Sequence, residues 1–131
     1  MEDKENLVES TTCSKEIKYI KDIIMTRGNT FAFKFQRLDE NCNVIETVAE
    51  KMIFTVKEDY ETDEILFQKS LADGNITFSQ DDYYYHIVIQ PDDTRELNYT
   101  TYYWDVKVIE GDYEFTIIKE RKLKIEKAVT D

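Results

Sequence analysis

Side chains that could do chemistry are few and scattered in this chain. His86 is the only histidine, and it alternates with Tyr85 and Ile87, which places it on the opposite, solvent-facing side of a strand. A nucleophilic triad needs a base beside a Ser or Cys and an acid to orient it. A zinc site needs several His, Cys or acidic groups converging on one point. Neither has a local spacing here. Asp81-Asp82 and Asp92-Asp93 are the paired carboxylates. Calcium takes roughly six to eight oxygens, and no Asp-x-Asp-x-Asp-Gly loop is present to supply them. As an acid–base couple for glycoside hydrolysis the same pairs would need a larger, cleft-bearing scaffold. Turn formation and helix capping account for both pairs. The reading is that no residue is catalytic, none binds metal or cofactor, and the chain is not an enzyme.

The aromatics offer more. Tyr83, Tyr84, Tyr85, Tyr99, Tyr102, Tyr103 and Trp104 fall in two segments. Exposed Tyr and Trp stack on sugars or anchor protein interfaces, because they present large area at low entropic cost. Tyr85, Tyr102 and Trp104 alternate with polar neighbours and are assigned to the core. Tyr84, Tyr99 and Tyr103 remain as candidate interface residues.

The elements that would position them are strands. Phe31, Phe33 and Phe35 alternate with Ala32, Lys34 and Gln36, and Met52, Phe54 and Val56 alternate with Lys51, Ile53 and Thr55. Tyr85, Ile87 and Ile89, and then Tyr102, Trp104, Val106 and Val108, repeat the pattern. A period of two buries one face and wets the other. Strands are expected over residues 17–25, 30–38, 50–57, 65–69, 76–78, 85–90, 101–109, 113–118 and 123–125. Residues 39–43 should close a hairpin between the second and third. Asp73-Gly74 and Glu110-Gly111-Asp112 are tight turns, and residues 92–97 form the one helical turn. The fold class is all-β, an antiparallel sandwich of about eight strands with under about a tenth helix. Residues 1–16 are read as a flexible polar leader, and 17–131 as one sandwich domain.

The bulk properties bound the function. A chain of 131 residues suits one domain. It can bury roughly two-thirds of its unfolded surface and so fold without metal or disulfide. A net charge of -11 repels phosphate, which argues against nucleic acid. Mimicry of DNA by carboxylates is disfavoured because lysines are interleaved with the acids. The acidic N-terminus lacks the apolar stretch of a signal peptide, so Cys13 and Cys42 are expected as two free thiols. Without a secretory route, the sequons at Asn75-Ile76-Thr77 and Asn98-Tyr99-Thr100 have no role. No apolar run reaches the ~18 residues of a membrane span.

One set of residues carries a family resemblance. Its first part is Arg27-Gly28-Asn29-Thr30-Phe31-x-Phe33, Phe54-Thr55-Val56-Lys57 and Phe67-Gln68-Lys69-Ser70-Leu71-x-Asp73-Gly74. Its second part is Ile87-x-Ile89-x-Pro91-x-Asp93-Thr94, Tyr102-Tyr103-x-Asp105-Val106, Phe115-Thr116-Ile117 and Leu123-x-Ile125. This resembles small immunoglobulin-like β-sandwich proteins of tailed phages and prophages of Firmicutes, such as the first domain of baseplate upper proteins. The resemblance runs from about Ile23 to the end and brings no catalytic residues. Gly28-Asn29-Thr30 replaces the family's frequent Gly-Asp-Thr, and Glu120-Arg121 stands where the family has a Gly before its last strand. The resemblance implies a virion structural protein of the tail or baseplate, made in the host cytoplasm. It would assemble with other virion proteins and possess scope for homo-oligomers. A carbohydrate-binding module for host-surface glycans is the rival, and a host-cytosolic inhibitor is third. An exposed planar row of aromatics would favour sugar, and an apolar patch rimmed by charge would favour assembly.

Overall fold

In the computed structural model of the chain the described residues are 22–128. The expected leader, residues 1–16, lies outside them. Eight strands and one short helix follow in the order β1 (Ile23–Thr26), β2 (Phe31–Gln36), β3 (Lys51–Lys57), β4 (Ile65–Ser70), β5 (Ile76–Phe78), β6 (Tyr84–Ile89), α1 (Pro91–Thr94), β7 (Thr101–Glu110) and β8 (Tyr113–Glu126). They form a five-stranded sheet, β1-β8-β7-β3-β4, packed on a three-stranded sheet, β2-β6-β5. This is the all-β sandwich read from the alternation. The order matches immunoglobulin topology, with β2-β6-β5 in the places of strands B, E and D and β8-β7-β3-β4 in those of G, F, C and C′. Tyr102, near the start of β7, accepts a hydrogen bond on its hydroxyl from the Asn98 backbone N–H at 2.9 Å. That is the tyrosine corner of such sandwiches.

The inward faces meet as the period of two requires. Trp104 is 2% exposed. Its ring lies 5.5 Å from Phe33 of the opposite sheet and 5.4 Å from Phe54 beside it. Phe35, Met52, Val56, Tyr85, Ile87, Val106 and Leu123 complete a sealed interior. Its one tyrosine hydroxyl at the centre is satisfied: Tyr85 accepts from the Ala49 N–H at 2.9 Å.

Several expectations change. The sandwich is not wholly antiparallel, since β1 runs parallel to β8, with Ile23 opposite Leu123 and Thr26 opposite Glu126. Residues 39–43 do not join β2 and β3 in a hairpin, because those strands belong to different sheets. The loop closes on a single bridge, Leu38 to Val44, and the chain then crosses over. Asp73-Gly74 likewise turns the chain from one sheet to the other. The two expected last strands are one strand of 14 residues, β8. Lys119, Glu120 and Arg121 break the alternation because the pairing with β7 slips there. Glu120 takes a φ of 59°, the left-handed region in which a Cβ is strained, at the position where the resembling proteins carry Gly.

The expectation of two free thiols is also corrected: Cys42 is disulfide-bonded, and no described cysteine is free. That expectation rested on compartment alone, which says nothing about whether two sulfurs approach. Cys42 stands on a projecting turn and is half-buried. Cys13 lies outside the described residues.

Candidate functional site

At one end of the sandwich, α1 joins the two sheets. Lys69 on β4 points inward, opposite Phe54 in the register, and is only 7% exposed. Its ammonium meets the Asp93 carboxylate at 2.6 Å. The same carboxylate oxygen accepts the Gln90 N–H, which opens α1. Next to it, fully buried Thr94 accepts the Gly28 N–H on its hydroxyl at 2.8 Å. Gly28 has a φ of 82°, so the turn after β1 requires a residue without Cβ. Arg27 donates to the Leu97 carbonyl at 3.1 Å and lies 4.2 Å over the Tyr99 ring. Gly28, Lys69, Asp93 and Thr94, drawn from three of the resembling motifs, thus form one joint. It holds the sheets together and leaves no group free to react.

On the outer face of the five-stranded sheet lies a groove of about 330 Å³, lined by Thr55, Lys57, Tyr60, Tyr103, Asp105 and Lys119 among others. The Tyr60 and Tyr103 rings are 4.3 Å apart at 44°, and the Tyr60 hydroxyl donates to the Glu120 carbonyl. Burial pushes the Asp105 carboxyl up, and Lys107 and Lys57 pull it part of the way back. Burial, followed by the Glu120 charge, raises the Tyr60 phenol. Asp59, at the rim, is occupied by the backbone N–H groups of Glu61 and Thr62. The groove can hydrogen-bond and stack, with one half-buried carboxylate on its floor.

At the far end of β7, the two-residue turn Gly111-Asp112 leads into β8. Glu50 Oε1 accepts the Gly111 N–H at 2.6 Å, and Arg37 pairs with Glu110 at 3.5 Å, bracing the hairpin tip. Phe115 pairs with buried Val108 and therefore lies on the core face. Yet it is 49% exposed, and Tyr113 is 70% exposed, because five strands are roofed by only three. Their rings stack at 6.3 Å and 14°. The Lys107–Glu114 ion pair at 3.4 Å lies on the opposite face of the same hairpin.

The candidate tyrosines are placed apart. Tyr103 lines the groove. Tyr84 lies on the outer face of the three-stranded sheet with Lys34 4.7 Å over its ring. Tyr99 sits beside the joint. His86 is on the outer face of β6, opposite Lys34. Asp82 takes the Tyr84 N–H, so both acidic pairs serve turns and caps as read. Among the described residues no three His, Cys, Asp or Glu groups converge as a metal site, and no helix is long and apolar enough to cross a membrane. Sequence reasoning missed Lys69, Tyr113 and Phe115. The only local signal for Lys69 is its place in the alternation beside Phe67.

The molecule is thus an immunoglobulin-type sandwich with a sheet-joining knot at one end and an aromatic hairpin at the other. No family model matches it, and no curated protein does. Among solved structures, it is similar to the N-terminal domain of phage TP901-1 ORF48, at 13% identity and TM-score 0.46 over 92% of this chain and 95% of that one. It is also similar to an endo-β-1,4-mannanase from Thermotoga petrophila, at 13% identity and TM-score 0.48 over 83% of this chain. The chain spans 18% of the mannanase's length. The functional reading rests on this chain's own residues.

Proposed function

We propose that this chain is a non-enzymatic structural protein of a tailed phage particle, in its tail or baseplate, and that it works by protein–protein association. The observation that carries the reading is the stacked, exposed Tyr113–Phe115 pair on a braced hairpin, with the Arg37–Glu110 ion pair at its tip, where Glu110 stands opposite Tyr113. Rigid aromatics flanked by charge are what an interface anchor requires. The motif resemblance supplies the virion context. Other virion proteins are the partners, and repeated copies in a particle multiply a modest contact.

The carbohydrate reading keeps one observation in its favour, the Tyr60–Tyr103 shelf above Asp105. The rings are tilted against each other, so they form a corner rather than the flat row a pyranose face stacks on. The test mixes the purified protein with separated virion components and, in parallel, with host cell-wall glycans. Retention of one virion component, lost in a folded Tyr113→Ser/Phe115→Ser variant, is expected. Micromolar glycan binding that depends on Tyr103, with no virion component retained, would overturn the proposal.

A further inference from the structure

The groove on the outer face of the five-stranded sheet is built around a carboxylate that no described residue satisfies. Asp105 lies opposite Thr55 on β3. On its other side the register of β7 with β8 slips, from Trp104–Arg121 to Val106–Ile118, so Asp105 has no cross-strand neighbour there. Bulges of this kind re-aim side chains and often adjoin binding sites. Among the described residues no donor hydrogen-bonds the Asp105 carboxylate, and no ammonium forms an ion pair with it. Lys107 is turned to Glu114 at 3.4 Å. Lys57, opposite Tyr103, attracts the carboxylate without pairing with it.

The same bulge fixes the groove's wall. The Glu120 carbonyl accepts the Tyr60 hydroxyl at 3.1 Å, and the Tyr60 ring leans on Tyr103 at 4.3 Å. Tyr103 is two residues from Asp105 on β7, so ring and carboxylate stand on one face, about 7 Å apart along the backbone. The three candidate tyrosines differ in one respect. Arg27 lies 4.2 Å over the Tyr99 ring, and Lys34 lies 4.7 Å over the Tyr84 ring. No cation among the described residues lies over Tyr103 or Tyr60. A guanidinium forks onto a carboxylate and lays its plane on an aromatic face. Both partners are present here, and neither is filled. Lys57 and Lys119 also line the groove and form no ion pair among the described residues. They would repel a bare cation, whereas an arginine that has a carboxylate next to it suits both signs.

We propose that this groove binds an arginine side chain of a partner protein, forked on Asp105 and stacked on Tyr103, with a carboxylate adjacent to that arginine held by Lys57 and Lys119. The site goes beyond the hairpin contact and does not depend on it, since Phe115 lies on the core face of the sheet and Tyr103 on the outer one.

The probe is N-acetyl-L-arginine, which carries the guanidinium and the carboxylate and has no net charge. General attraction to a chain of charge -11 therefore does not hold it. Titration followed by amide NMR should give saturable shifts at Thr55, Tyr103 and Asp105, with a Kd on the order of 1 mM. N-acetyl-L-citrulline, the uncharged isostere, should bind about tenfold more weakly, and Asp105→Asn should weaken the arginine probe by about the same factor. Tyr103→Leu should weaken it severalfold. Trp104 fluorescence shows whether each variant keeps its core. Tyr113→Ser/Phe115→Ser should bind the probe as the parent does, so that failure here and failure of the hairpin reading are separable. Equal binding of citrulline, shifts that survive Asp105→Asn in a folded protein, or no saturation below about 50 mM would overturn the proposal. So would a cell-wall glycan fragment that occupies the groove where the arginine probe does not.

Discussion

The Lys69–Asp93 pair gives the sharpest test of how the two sheets are held. Lys69 is nearly sealed, while the Asp93 side chain keeps 17% of its surface in water and also caps α1. The partners therefore differ in what their loss leaves behind. Asp93→Ala strands an ammonium in the interior, which costs about 3–5 kcal/mol, and removes a cap worth about 1 kcal/mol. Lys69→Met keeps the aliphatic volume, and Asp93 retains the Gln90 N–H and its access to water, so about 1–2 kcal/mol is expected. The double variant Lys69→Met/Asp93→Ala no longer buries a charge and should lose only about 1–3 kcal/mol, mostly cap and packing. It should therefore be more stable than Asp93→Ala alone. Urea unfolding followed by Trp104 fluorescence measures all four proteins. If Asp93→Ala costs under about 1 kcal/mol, or the double variant is the least stable, the buried-charge argument is wrong.

Three further outcomes are expected. Trp104→Ala should cost about 3–5 kcal/mol, because it empties the contact between Phe33 and Phe54, and thermal unfolding will show it. Glu120→Gly should stabilise by about 1 kcal/mol, since the relief of a left-handed Glu outweighs the entropy of Gly, and Tm should rise. Asp105→Asn should raise Tm near neutral pH but not at pH about 3. With the folded carboxyl raised above its ordinary 3.8, its favourable contribution is complete below the unfolded value and is lost as pH rises through the folded one.

The alternation in Phe31–Phe35 and Tyr102–Val108 made the strands and the Trp104 core legible, because burial on one face leaves a local trace. Pairing across the molecule leaves none. Nothing near Ile23 says that its strand runs parallel to β8. Lys119-Glu120-Arg121 reads as a turn because the bulge that absorbs it depends on β7. Nothing near Lys69 says that its partner is Asp93, 24 positions later. In the sequence, Tyr113 and Phe115 are simply strand residues. Their exposure comes from the mismatch of a five-stranded sheet with a three-stranded one, and that is a property of the assembled layers.

The two ends of β7 have different duties, and this bears on what the motif resemblance can say. Gly28, Asp93 and Thr94 come together before β7 begins, and Lys69, level with Val106 through Phe54, reaches Asp93 from the middle of the sheet. Their types are dictated by a left-handed turn, a buried ion pair and a buried hydroxyl, so any chain that closes its sheets in this way needs them whatever it binds. The hairpin after β7 lies ten residues on, about 30 Å away. Its aromatics satisfy no folding constraint: nearly half or more of each is in water, and the core is complete without them. Surface that folding does not require, on a tip that Arg37 and Glu50 hold rigid, is where a difference in partner can be written at little cost in stability. The motifs therefore report the scaffold, and the Tyr113–Phe115 end is where function should be sought.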